Sequence, residues 1–352
     1  MAQTKLDRRK FGLGVIASGV ALGLSGKSRA GPTGAAARPD RFALVDSELV
    51  EAARALPDFT VDAKSLPIMR GLPARPIAPA PAPQPLFHAI PGPKGAPDVR
   101  IMVIDGTGGK PGSPAYLHMH GGGFVGGRVD QYPAAYQALA QACQCLIVSV
   151  DYRLAPETRF PGALEDNYAA LRWMHGNAEA LGIDPKRIAI GGESAGGGHA
   201  AMLAIAARDR GEFPIAFQLL VYPMLDDRTG ATVEPPTHVG QFVWNAGSNR
   251  FGWASLLGQA PGLKTVPAGS VPARVVDLVG LPPAFIAVGG LDLFAAENIS
   301  FAARLNAAAV PVELLVVPGA YHAFDALVPN AQVSRQFRSA LVAALKRGMA
   351  AV

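Results

Sequence analysis

Cysteine is nearly absent: the 352 residues hold two, Cys143 and Cys145. One residue apart, with no histidine or carboxylate in metal-ligand spacing, they exclude a disulfide framework and read as core thiols. Charge is scarce too, at 17%, and beyond residue 30 no Lys/Arg cluster suggests nucleic acid or an anionic membrane surface. No apolar run reaches the ~20 residues that a membrane-spanning helix needs, so no stable membrane anchor is expected. Internal repeats are missing. No G-K-[ST] follows the glycine run at 121–123 and no acidic residue stands at dinucleotide spacing, which argues against a phosphate loop.

What charge imbalance exists sits at the start. Residues 1–30 hold six of the 32 Lys and Arg and one of the 27 Asp and Glu, so the rest carries 26 of each. Arg8-Arg9 precedes Lys10-Phe11, an apolar run over 12–24, then Lys27, Ser28, Arg29 and Ala30. This pattern predicts a twin-arginine (Tat) export signal cleaved near Ala30, a chain handed to the Tat machinery, and a periplasmic or secreted product.

With 49% hydrophobic residues, the remainder suits one large domain with a sizeable core. Residues 40–74 show helical spacing of apolar positions, and proline crowds 73–97 into an expected extended tether, so residues 31–98 read as a helical arm with a linker. Residues 99–352 read as the main body. There, strand-like runs at 99–104, 115–119, 146–150, 187–190, 217–222, 284–288 and 312–317 alternate with helical stretches at 132–142, 161–174, 195–207, 298–309 and 332–346. That alternation predicts an α/β fold with a mostly parallel sheet between helices. Chemistry in such folds gathers at the carboxyl ends of the strands.

The strand-like run at 187–190 passes through Gly191-Gly192 into Glu193-Ser194-Ala195-Gly196 and an alanine-rich helix. Gly192, Ser194 and Gly196 fit G-x-S-x-G, a turn so tight that the neighbours of the serine must be nearly without side chains. The helix that follows aims free N–H groups at the space above the serine oxygen. His120-Gly121-Gly122-Gly123-Phe124 follows another strand end; the N–H groups of Gly122 and Gly123, with that of Ala195, make an oxyanion hole. His120 is expected to orient this loop.

A serine nucleophile needs a base. His88 precedes the sheet, His118 and His120 flank one strand end, His175 and His199 fall in helices, and His238 lies where strand pattern is weak. His322, just past the last strand, stands where it can reach Ser194. The base needs an acid, and Asp292, after Gly289-Gly290-Leu291 at the end of the preceding strand, completes the order Ser, Asp, His. Asp226, Asp227 and Asp325 are rivals.

Five motifs in this order, His120-Gly-Gly-Gly, Asp151-Tyr-Arg-Leu-Ala-Pro-Glu157, Gly192-Glu-Ser-Ala-Gly-Gly197, Asp292 and His322-Ala-Phe324, resemble the hormone-sensitive lipase family of α/β-hydrolase esterases over about residues 42–346. The resemblance implies the α/β-hydrolase fold, ester hydrolysis without metal or organic cofactor, and a helical cap drawn from the arm and an insertion at about 226–277. It makes 151–157 a bracing loop. Leu293 stands where the family often has proline, and Ala296-Glu297 where it has an acidic pair.

The expected activity is a serine carboxylesterase acting on small-molecule esters of short to medium acyl chain. Phe124, Phe242, Trp244 and Trp253 are candidates for lining the acyl pocket. Amides, lactones or formyl groups are alternative substrates of the same triad, and a ligand-binding protein is the non-enzymatic alternative.

Overall fold

The computed structural model describes residues 40–71, 82–131 and 133–350. The expected export signal at 1–30 lies outside them. Eight strands form one sheet: β1 (Leu86–Ile90), β2 (Val99–Asp105), β3 (Ser113–Met119), β4 (Leu146–Asp151), β5 (Ile183–Glu193), β6 (Phe217–Val221), β7 (Ala284–Gly289) and β8 (Val312–Val317). Their spatial order is β1-β2-β4-β3-β5-β6-β7-β8. β2 is antiparallel to both β1 and β4, and every pairing from β4 across to β8 is parallel.

The central strands read as continuous apolar runs because both faces are covered. Alternate residues feed two cores. Ile101, Val103, Val148, Val150, Ile188 and Ile190 pack with helices α4 (Gly162–Gly176), α5 (Ala195–Arg210) and α7 (Ala295–Ala307). Met102, Ile104, Ile147, Ala189, Leu219 and Val221 pack with α3 (Pro133–Cys143) and α9 (Gln332–Gly348) on the other face. Cys143 and Cys145 are buried, free thiols in this second core.

One region departs from expectation. Leu86–Ile90, inside the stretch expected as an extended tether, pairs along β2 as an edge strand, with His88 opposite Ile101. Prolines at 83, 85, 91 and 93 bracket five residues that keep their N–H groups, and an edge strand needs a ladder on one side only. Four of the five are exposed, so no alternation marked them. The arm, expected to hold one or two helices over 40–74, contains two short ones, α1 (Val50–Ala55) and α2 (Leu66–Gly71), joined by turns. Pro57 interrupts the pattern between them.

After β6 the chain makes a long excursion containing α6 (Ala246–Leu257), whose N-cap Asn245 accepts from Ser248 N–H. The arm is bonded to this excursion. Val61 N–H donates to Ser248 Oγ at 2.8 Å, and Asn245 Nδ2 donates to Phe59 O at 3.1 Å. No helix among the described residues is long and apolar enough to cross a membrane.

Candidate active site

Ser194 sits between β5 and α5 with φ 58° and ψ −121°, a backbone conformation that a residue bearing a Cβ adopts only under strain. The surroundings enforce it. Ser194 N–H donates to Val221 O at 2.9 Å, and its carbonyl accepts from Met224 N–H and Gly198 N–H at 3.0 Å each. A Cβ on Gly192 or Gly196 would stand 2.1 or 2.0 Å from Met119 O, so the spacing of G-x-S-x-G follows from how closely the elbow crosses the end of β3.

His322 follows β8 and reaches the serine. Its Nε2 lies 3.0 Å from Ser194 Oγ and its Nδ1 2.7 Å from Asp292 Oδ2. The carboxylate accepts a hydrogen bond from Nδ1–H and so keeps the proton on that nitrogen, leaving Nε2 to accept from the hydroxyl. Asp292 is fully buried and its other oxygen accepts from Phe294 N–H at 2.9 Å. The rings of Phe294 and Tyr222 stand edge-on to the imidazole at 5.3 and 4.9 Å, fixing its plane. Ser194, Asp292 and His322 thus meet at the carboxyl ends of β5, β7 and β8.

The rival carboxylates are engaged elsewhere. Asp226 pairs with Arg228 and Asp227 with Arg274, each at 2.7 Å. Asp325, in α8 (Phe324–Leu327), accepts from Tyr222 OH at 3.1 Å, and burial raises its carboxyl to about 6. The other histidines do not reach the serine either. His175 Nε2 is 3.1 Å from Pro214 O. His199 is buried between the rings of Phe124 and Tyr152, and desolvation holds it down at about 3.

The glycine loop runs alongside the elbow: a Cβ on Gly121 would stand 3.5 Å from Ser194 Cβ. No backbone acceptor among the described residues takes the N–H of Gly122, Gly123 or Ala195. His120 is bonded through Nδ1 to Gly121 O at 2.8 Å, its ring stacks on Tyr152, and Tyr152 OH donates to His120 O at 2.6 Å. Burial pushes it down to about 4. It is therefore neutral at pH 7 and braces the loop, as its sequence position suggested.

Of the four candidate pocket residues, Phe124 directly follows the glycine loop and Trp244 lies against it: a Cβ on Gly123 would be 2.0 Å from the Trp244 Cη2. Phe124 and Trp253 are buried and pack edge to face at 4.9 Å. Phe242 packs on Phe42 and Tyr321.

Three braces pair residues far apart in the sequence. Glu193, beside Ser194, accepts from His118 Nε2 at 2.8 Å, and His118 Nδ1 is 2.7 Å from Ser149 Oγ. Glu297 is buried and accepts from Leu225 N–H at 2.7 Å, Asp226 N–H at 3.3 Å and the Thr229 hydroxyl, pinning the turn after β6. Arg70 of α2 donates to Val125 O at 2.7 Å and Ala155 O at 2.9 Å while pairing with Glu157. Among the described residues no three His, Cys, Asp or Glu gather as metal ligands would.

Residues 116–326 match a family described by the alpha/beta hydrolase fold. The esterase LipI of Mycobacterium tuberculosis is 38% identical over 256 residues, 70% of this chain and 76% of LipI. The chain belongs to the hormone-sensitive lipase-like esterases of the α/β-hydrolase fold. An ethyl acetate hydrolase of Pseudomonas putida is 35% identical over 224 residues, 60% of this chain and 65% of that protein. Among solved structures, a bacterial heroin esterase superposes with TM-score 0.78 at 36% identity, covering 89% of this chain and 100% of that one. The family assignment makes this esterase a carboxylic ester hydrolase acting on small-molecule esters.

Proposed function

We propose that Ser194, His322 and Asp292 are the catalytic triad of a serine carboxylesterase for short- to medium-chain esters. The observation that carries this reading is the continuous bonding from Ser194 Oγ through His322 to Asp292, at 3.0 and 2.7 Å. His322 Nε2 takes the Ser194 proton as Oγ attacks the ester carbonyl. The carbonyl oxygen becomes an oxyanion held by the N–H groups of Gly122, Gly123 and Ala195. Collapse expels the alcohol, which takes the proton from His322. Water, deprotonated by His322 in turn, then releases the acid from the acyl-enzyme. Asp292 keeps the imidazole in the tautomer with Nε2 unprotonated and stabilises the imidazolium that forms.

The preference for shorter acyl chains is supported by the ethyl acetate hydrolase relative and by the closeness of the site, with Ser194 7% exposed. The test is turnover of graded p-nitrophenyl esters, acetate to palmitate, by wild type and Ser194→Ala. A peak at short or medium chains that falls by several orders of magnitude in Ser194→Ala is expected. Turnover near wild type in that variant would remove the serine from the mechanism. The arm and the excursion at 226–277 form the cap over this centre in the same reading.

Export through the Tat machinery to the periplasm or beyond is part of the proposal and rests on Arg8-Arg9 and the run after them. Replacing both arginines with lysine should strand the protein in the cytoplasm. Unchanged recovery outside it would rule out this route.

A further inference from the structure

Trp244 is held by an unusual backbone. Its N–H donates to Phe242 O at 2.8 Å across Val243, whose φ is 65°. That is a three-residue γ-turn of the rare, strained hand, and a β-branched side chain is among those least suited to its centre. Val243 itself is 39% exposed, so burial of its side chain does not explain the cost. Strain of this kind persists where the surrounding structure over-determines it and gathers at clamps and switch regions.

The turn divides two spaces. Val243 and Asn245, on either side of Trp244, line a groove of about 650 Å³ together with Phe59, Val239, Phe242 and Leu293. Trp244 turns the other way: it is buried, lies on Gly123, and its Nε1 is 3.3 Å from Asn249 Oδ1. The groove sets the apolar side chains of Phe59, Val239, Phe242 and Leu293 among charged ones at Arg41, Asp58, Glu234 and Arg250, and Leu293 is the residue after Asp292. Ser194 and His322 are only 7% and 5% exposed, and neither lines the groove.

We propose that Trp244 is a hinged wall between this groove and the reacting serine, and that it sets the length of the apolar chain an ester may carry. The inference rests on the serine esterase reading above. With the γ-turn closed, the indole covers Gly123 and confines substrates to short substituents. Release of the turn lifts the indole and joins the groove to the centre, at the cost of the bond from Trp244 N–H and with the strain at Val243 returned.

Two variants and two substrate series test it. Trp244→Ala removes the wall. Val243→Pro forbids a positive φ and so forbids the closed turn, at an exposed position where no core packing is lost. The readout is the ratio of kcat/KM for a long ester to that for a short one. p-Nitrophenyl decanoate over acetate varies the acyl side, and octyl over ethyl acetate varies the alcohol side. Both variants should raise the ratio at least tenfold in one series, and the series that responds identifies which side of the ester enters the groove. Val243→Gly, which accepts the turn without strain, should leave the ratio at or below wild type. Ratios within twofold of wild type in Val243→Pro, in both series, overturn the wall whatever becomes of Trp244→Ala. Failure of wild type to hydrolyse any ester is a different result, which ends the esterase reading and the wall with it.

Discussion

Arg70 offers a quantitative test of how the arm supports the centre. Its guanidinium bonds two backbone carbonyls, Val125 O just past the glycine loop and Ala155 O in the bracing loop, and grips Glu157 with two further bonds of 2.7 and 2.8 Å. The carbonyl bonds are partly buried. Losing them should cost about 1 kcal/mol each, less than is usual for charged donors because the arginine keeps some solvent contact. The Glu157 side chain is 62% exposed, so the ion pair adds at most ~1 kcal/mol. Arg70→Met should therefore lower stability by about 3 kcal/mol, and Glu157→Gln by no more than ~1. At roughly 2 °C per kcal/mol for a large domain, thermal unfolding should drop by about 6 °C in the first variant and ~2 °C in the second. Arg70 holds the Glu157 carboxyl at about 2, below its ordinary 4.5. The ion-pair share is thus fully present above pH 4.5 and fades as pH falls towards 2. Equal losses in the two variants at pH 7 would refute the reasoning, because the carbonyl bonds would then contribute nothing.

Asp292→Asn should lower kcat by about 10³–10⁴-fold with KM within a few-fold, since the imidazole loses the partner that fixes its tautomer; a loss under tenfold would give the acid role to another residue. Asp325 keeps its proton to about pH 6 in the native state, against an ordinary value of 3.8. The native state therefore binds the extra proton between these values, and stability should fall as pH rises through them. Asp325→Asn should abolish that fall, on the order of 2–3 kcal/mol, in urea midpoints compared at pH 4 and 7. A slope unchanged from wild type would place the titration elsewhere. Glu297→Ala strands the buried N–H of Leu225 and the Thr229 hydroxyl and should cost about 2–4 kcal/mol in urea unfolding; a cost under ~0.5 would show that water replaces the carboxylate.

The parallel strands were legible because burial on both faces writes them as unbroken apolar runs, and the elbow because its geometry tolerates almost no side chain near Ser194. Asp292 and His322 were reachable from chain order and strand ends. What escaped depended on pairing across long separations. Arg70 meets Glu157 over 87 residues and Glu297 meets Leu225 over 72, and although Glu157 and Glu297 stand at motif positions, nothing local names their partners. β1 escaped for the opposite reason: a short exposed edge strand buries too little to impose alternation. The arm showed helical spacing, but a six-residue helix is stabilised by what it packs on more than by its own propensity.

The arm also touches the loop that carries His322. Asp46 N–H donates to Gly319 O at 3.0 Å, and Glu48 accepts from Gln332 and Val333 N–H at the start of α9. These partners are more than 270 residues apart. During synthesis Asp46 and Glu48 emerge long before Gly319, Gln332 and Val333, so these contacts close late. Placement of His322, the proposed general base, is then among the final events of folding, and a chain interrupted before its last strand would hold the elbow without the residue proposed to activate it.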